Sequence, residues 1–326
     1  MRRRSTVPPA PLPQREGVDP VRVRLPADPE GVWGTVRDHL VDRFQGAIGA
    51  GRVEEMLGAG RFVGVDGALS GGEPYVAGRY VWFHRDFAPE VTVPFEMGVV
   101  HRDERLVIAD KPHFLATTPR GGHVRETALA RLRRELGLPA LQPAHRLDRL
   151  TAGLVLFVVR PEDRGAYQGL FGERRVRKEY EAVAAYDGEV ALPVTVRSRI
   201  VKERGVPAVR EVAGEVNAES RIELVERRGG LGRYRLLPVT GRTHQLRVHM
   251  SGLGLPIVND PLYPASQDRD RDRDRDADAG RHQDEDFGAP LQLLAKVLEF
   301  TDPVDGRVRR FESTRRLAVW EGGPAA

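Results

Sequence analysis

Between Glu30 and Phe44, apolar side chains recur every three or four residues, at Trp33, Val36, Leu40 and Phe44. That is the spacing of a helix with one buried face. Val53 to Leu57 suggests a second, shorter helix, closed by Gly58. Arg61 to Gly67 reads as a short strand running into an Asp-Gly turn. Tyr75 to Phe83 supplies more strand-forming residues. After a Pro-containing linker from Ala88 to Pro94, Leu106 to Ala109 forms a strand that ends at Asp110-Lys111-Pro112. Arg125 to Leu136 is helical, with Leu129, Leu132 and Leu136 on one side. Leu154 to Val159 is a continuous apolar run, short enough for a buried strand. Tyr180 to Ala185 and Arg233 to Val239 read as further strands. Leu246, Met250 and Leu253 return to helical spacing, with Thr243 as N-cap and Gly252 or Gly254 as the stop. The alternation predicts a mixed α/β domain built on one large sheet.

Composition divides the chain further. Residues 1–20 are rich in Pro and Arg and are expected to form a disordered tail. Residues 21–87 form a small module, and the larger domain spans 95–320. Within it, 267–286 contains an Asp-Arg repeat that cannot bury a core and is expected to be a solvated insert. No run of eighteen apolar residues exists, so no membrane span is expected. The basic Met1 to Ser5 is followed by Pro8 to Pro13, not by an apolar stretch, which argues against a secretory signal. Cysteine is absent, which excludes disulfides and cysteine metal sites and fits a cytoplasmic location.

The formal net charge of +4 hides an asymmetry. Residues 268–286 carry nine acids against five arginines, net −4, which leaves +8 for the rest of the chain. Only Lys111, Lys178, Lys202 and Lys296 are lysines; the other cations are arginines, whose planar fork suits phosphates and stacks on bases. Such a body fits a nucleic-acid partner. GC-rich coding would produce the same arginine enrichment.

Three segments carry candidate chemistry. In His145-Arg146-Leu147-Asp148-Arg149-Leu150-Thr151, one carboxylate sits among two arginines and a histidine, in a loop leading to a buried strand. Nearby cations keep a carboxylate ionised, and an ionised carboxylate can act as nucleophile or base. Gly153 lets another backbone pass closely, and Thr151 can brace the loop. In Arg177-Lys178-Glu179-Tyr180 the tyrosine offers a ring for stacking and a hydroxyl for proton transfer. In Gly241-Arg242-Thr243-His244-Gln245-Leu246-Arg247, Arg242 falls at the positive end of a helix, a phosphate site. Arg247 lies about 100° around from the apolar stripe, where it can reach a cleft and pair with a carboxylate. His244 and His249 lack a metal-binding spacing.

Together these segments resemble the signature of the RluA-type RNA pseudouridine synthases. The family's order of His-Arg-Leu-Asp-x-x-Thr-Ser-Gly-Leu, Lys-x-Tyr and Gly-Arg-Thr-His-Gln-hydrophobic-Arg-Val-His falls at 145–154, 178–180 and 241–249. Asp110-Lys111-Pro112, Pro256 to Asp260 with Tyr263, and Leu293 to Pro303 match further family elements. Ala152, Asn259 and Leu294 replace the usual serine, glycine and histidine. The resemblance covers about residues 95–320. It implies an α+β catalytic domain whose large, mixed but mainly antiparallel sheet is flanked by helices, with a small N-terminal α/β module. That module, read as a basic helix pair and a hairpin, loosely resembles the RNA-binding module named after ribosomal protein S-four.

The resemblance also implies roles. Asp148 becomes the catalytic aspartate, Tyr180 the tyrosine packed on the base, and Arg247 the partner that holds Asp148 ionised. His145, Arg146, Arg149, Thr151, Arg242, Thr243, His244, Gln245 and Leu293 become substrate-binding candidates. The implied reaction turns uridine of rRNA or tRNA into pseudouridine, with the base flipped out of the RNA, no cofactor or metal, and a monomeric enzyme. Two other readings use the same residues: a non-catalytic RNA-binding or ribosome-assembly protein on this fold, and an interaction protein that works through the charged insert. Kinase-like tags (His84-Arg85-Asp86, His101-Arg102-Asp103, Ala88-Pro89-Glu90, Asp286-Phe287-Gly288) occur in the wrong order and lack a phosphate loop, so they carry no weight.

Overall fold

The computed structural model describes residues 7–87, 89–264 and 286–322. All of the expected charged insert except Asp286 lies outside the described residues, as do the first six residues of the expected tail. The chain divides into two compact units, Met1–Ala88 and Pro89–Ala326.

In the first unit, strands β1 (Val21–Arg24), β2 (Val63–Gly64), β3 (Gly67–Ala68) and β4 (Tyr80–Phe83) form a four-stranded sheet in the order β1-β4-β2-β3. Helices α1 (Val36–Phe44) and α2 (Ala50–Gly58) pack Val36, Leu40, Val53, Met56 and Leu57 against Val23, Phe62 and Phe83. The helix expected from Glu30 begins later. Thr35 caps it, accepting from the Asp38 N–H while the Asp38 carboxylate accepts from Thr35 N–H. This capping box sets the start, and it leaves Trp33 outside the helix. The turn between β2 and β3 falls on Val65 and Asp66, one residue before the expected Asp-Gly pair, and Gly67 opens β3. The stretch before β1 is not featureless, since Arg15 and Val18 exchange backbone hydrogen bonds and Val18 is buried. The helix pair is not a basic surface either. Arg37 pairs with Glu54, and Arg52 pairs with Glu55 and Asp86.

The second unit carries strands β5 (Gly98–Arg102), β6 (Leu106–Lys111), β7 (Gln142–Pro143), β8 (Ala152–Val158), β9 (Val176–Ala185), β10 (Val194–Val201), β11 (Arg210–Val212), β12 (Ala218–Arg228), β13 (Leu231–Pro238), β14 (Leu293–Thr301) and β15 (Val308–Glu312). They form one sheet in the order β11-β10-β12-β13-β9-β14-β8-β6-β5, with β15 on β14 and β7 on β8. Every pairing is antiparallel except β14 with β8. The helices are α3 (Ala128–Leu136), α4 (Arg164–Gly172), α5 (Gln245–Gly252) and α6 (Ala318–Glu321).

The continuous apolar run of β8 has a simple cause. Val155 and Phe157 pack with Val107 of β6 beneath Leu129 and Leu132 of α3. Leu154, Leu156 and Val158 pack on the opposite face with Tyr167 and Leu170 of α4. A strand covered on both faces has no polar side. Beyond β14, Leu246 and Met250 of α5 cover Ala182, Ile222 and Leu236 of β9, β12 and β13. The β8 and β9–β13 halves meet at Gly153. A Cβ there would lie 2.3 Å from the Ala295 carbonyl oxygen of β14, and the residue has φ of 110°, so only glycine fits the junction.

Candidate active site

Asp148 lies in the loop between β7 and β8, and four successive carbonyls of that loop are each held. The Leu147 carbonyl accepts from Thr117 Oγ1 at 2.9 Å, and the Leu147 N–H donates back to the same hydroxyl. The Asp148 carbonyl accepts from the Thr151 N–H at 3.1 Å. The Arg149 carbonyl accepts from Lys111 Nζ, and the Leu150 carbonyl contacts His113 Nδ1 at 2.7 Å. Lys111 is fully buried and also donates to the carbonyls of Pro112 and Leu115. Burial pushes its amine well below the ordinary lysine range, against the upward pull of Asp148. Burial likewise pushes His113 down, to about 4, so it is neutral at pH 7 and donates its Nδ1–H. The loop is thereby fixed on both sides of the carboxylate, whose own side chain stays 28 % exposed and reachable.

The cavity beside it, about 230 Å³, is walled by three distant segments. Leu147, Asp148 and Thr151 come from the loop, Lys178 and Tyr180 from β9, and Thr240 to Arg247 from the turn into α5. Leu293 and Arg146 complete the wall among the predicted residues. Burial, then the negative charge of Asp148, pushes the Tyr180 phenol up, so it remains protonated. Leu246 of the third segment also lines the cavity, as do Arg120 and Pro238, which belong to no chemistry-bearing pattern in the sequence. Lys178 lines it too, donating from Nζ to the Thr240 carbonyl at 3.2 Å.

Four expectations need correction. Arg247 does not hold Asp148. It grips Asp260 in a bidentate pair, Nε–Oδ2 2.7 Å and Nη2–Oδ1 2.6 Å, with both side chains buried. Asp260 also accepts from the N–H groups of Leu262 and Tyr263, so it is anchored independently of Arg247. Gln245 is not free for substrate. Its Oε1 accepts from the Thr240 hydroxyl and Arg242 N–H, and its Nε2 donates to the Glu219 carbonyl and the Ser220 hydroxyl. That saturates the amide, which braces the turn. The N-cap of α5 is His244, in the left-handed region at φ 51°, and not Thr243. Arg149 lines neither this cavity nor its neighbour, and its Nη1 is directed to the Phe114 carbonyl at 3.5 Å.

The side chain that does approach Asp148 is His244, with Nε2 4.0 Å from Oδ2. Its Nδ1 lies 3.2 Å from the Tyr263 hydroxyl, which accepts from the Val209 N–H at 2.8 Å. Burial pushes the imidazole down to about 4, against the pull of Asp148, so the ring is neutral at pH 7. His145 sits outside the first cavity, where its Nε2 accepts from the Leu156 N–H at 3.1 Å and fixes the loop to β8. Among the described residues no cluster of three His, Asp or Glu could hold a metal ion, and no helix is long and apolar enough to cross a membrane.

A family model for RNA pseudouridylate synthase matches residues 105–252, the span holding Asp148, Tyr180 and Arg247. The dual-specificity RNA pseudouridine synthase RluA of Pasteurella multocida is 33 % identical over 187 residues, covering 52 % of this chain and 78 % of that one. The mitochondrial tRNA pseudouridine(32) synthase of Saccharomyces cerevisiae is 31 % identical over 184 residues, covering 55 % of this chain but only 39 % of its own length. Among solved structures, human RNA pseudouridylate synthase domain containing 1 superposes with a TM-score of 0.52 at 22 % identity, over 70 % of this chain and 86 % of that one, which shows the shared fold. The chain belongs to the RluA-type RNA pseudouridine synthases, isomerases that act on uridine in RNA.

Proposed function

We propose that Asp148 is the catalytic carboxylate of a uridine-to-pseudouridine isomerisation in tRNA or rRNA, with Tyr180 packed on the flipped base. What supports this reading is the convergence of three segments distant in sequence on one cavity whose reachable carboxylate is Asp148. The isomerisation breaks the N1–C1′ bond, turns the uracil, joins C5 to C1′ and moves the C5 proton to N1, so atoms balance without an oxidant or reductant.

A uridine stacked inside folded RNA must leave the stack to reach such a carboxylate. The Tyr180 ring and Leu293 offer the base an apolar and aromatic surface that offsets part of the lost stacking. Arg146 and Arg242 at the rim carry cationic groups for the flanking phosphates. Arg247 acts on the site through position: held by Asp260, it presents a fixed positive field near Asp148. RNA contact belongs to the second unit in this reading, since Arg37 and Arg52 of the first are already paired with carboxylates. The cytoplasm is the matching location for the cysteine-free chain, acting as a monomer.

Tritium release from uracil-C5-labelled tRNA and rRNA transcripts tests the reading. Release is expected from the wild type on at least one transcript and not from Asp148→Asn. Turnover by a verified Asp148→Asn preparation would remove Asp148 from the mechanism.

A further inference from the structure

Beside the catalytic cavity lies a second hollow, of about 430 Å³, that the reading above does not use. It falls within the ~300–1,000 Å³ of ordinary ligand sites. The two are adjacent, because Arg146, Lys178, Tyr180 and Arg242 line both. The rest of the wall comes from Ala144 and His145 after β7, from Phe171 and Gly172 at the end of α4, from Arg174 just beyond it, and from Val239 to Gly241.

Its chemistry is one-sided. Four cations line it, Arg146, Arg174, Lys178 and Arg242, and among the described residues no carboxylate does. The Arg146 and Arg174 side chains are exposed and have no hydrogen bond or ion pair among the described residues. Arg242 engages only its Nε, with the Asn217 carbonyl at 3.1 Å. Several arginines elsewhere are matched by nearby acids, as Arg233 is by Glu226 and Arg310 by Glu312. Unmatched arginines gathered around one hollow are the arrangement that binds phosphate. The hollow also holds an aromatic pair, Phe171 stacked on His145 at 4.2 Å and 20°. His145 accepts from the Leu156 N–H through Nε2, so its proton is on Nδ1, a donor for a base edge.

We infer that this hollow is a subsite for the nucleotide adjacent to the target uridine, its phosphate on Arg146, Arg174 and Arg242 and its base beside Phe171. The inference rests on the reading that the uridine itself occupies the cavity of Asp148. One strand then runs across the shared wall of Tyr180 and Lys178, with successive nucleotides in successive hollows. Arg174 and Phe171 thereby become determinants of which sequence context is modified.

The test uses the full chain and the transcript that responds to the wild type. Arg174 has φ of 59°, a conformation that asparagine tolerates, so Arg174→Asn removes the cation at little backbone cost. KM should rise roughly tenfold, the loss of about one charge-assisted hydrogen bond, with kcat within about twofold. The plot of log Kd against log salt should flatten by about one phosphate's worth, and Arg174→Lys should restore most of that slope. An unchanged KM and salt slope in Arg174→Asn, with the wild type active, would overturn the subsite and leave the uridine reading intact. Absence of wild-type turnover on every RNA would overturn both.

Discussion

The guanidinium of Arg247 and the carboxylate of Asp260 face each other in a buried bidentate pair, while Asp148, the carboxylate proposed to act on the uridine, has the neutral imidazole of His244 at 4.0 Å. A catalytic carboxylate tied down by a bidentate arginine would lose its freedom to approach a sugar. Asp260 takes that load and leaves Asp148 exposed to the cavity.

Asp260→Ala should therefore behave unlike a loss of surface charge. Arg247 would remain buried with no carboxylate partner, a defect that costs about 3–5 kcal/mol. A lowered melting temperature and lost activity are expected together. Normal melting and activity for this variant would show that the pair does nothing for the site.

Asp148→Asn should separate chemistry from structure. Its side chain makes no contact that the fold depends on, so the melting temperature and RNA affinity should hold while turnover vanishes. A melting temperature lowered by many degrees would mean that Asp148 is structural instead.

Thr117→Val keeps the shape of the side chain but removes the hydroxyl that both donates to and accepts from Leu147. Leaving those two backbone groups unpartnered costs about 1–3 kcal/mol. Because the Leu147 peptide sets where Asp148 points, kcat should fall more than KM rises. Equal effects on both, or none, would argue against a positioning role.

Gly153→Ala places a methyl group against the Ala295 backbone, where β8 meets β14. Backbone on both sides of the contact cannot yield, so the expected result is insoluble or misfolded protein. Recovery of soluble, active Gly153→Ala would contradict the packing at this junction.

Acid should destabilise the fold. Burial holds His113 and His244 down to about 4 and His145 to about 3, whereas the unfolded chain binds protons near 6.5. Below that value the unfolded state carries more protons, so stability falls as pH falls, by at most about 2 kcal/mol per histidine at pH 5. Thermal melts at pH 7 and pH 5 measure this. An unchanged melting temperature would mean that these imidazoles are not buried neutral.

Much of the site was legible because its chemistry is written in local residue order. Asp148, Tyr180 and the turn from Arg242 to Arg247 stand in short patterns, and the structure brings all three to one cavity. The apolar run at Leu154 to Val159 and the helix ending at Leu136 were readable for a similar reason, since burial on two faces or on one imposes its own period. Strands β10, β12 and β15 were not readable. Their exposed faces carry arginine and glutamate, and only pairing with neighbouring strands makes them strands.

Residue order alone sets the side chains available to the site and the family to which they point. The tertiary structure decided which of them meet. Arg247 has a carboxylate in both Asp148 and Asp260, and residue type cannot choose between them. The turn that directs two N–H groups onto Asp260 makes the choice. In the same way Lys111, Thr117 and His113 become a support for the loop of Asp148 only because β6 runs beside β8. Hydrogen bonding and ion pairing depend on distances of a few ångströms, and the fold alone sets those for residues far apart in the chain.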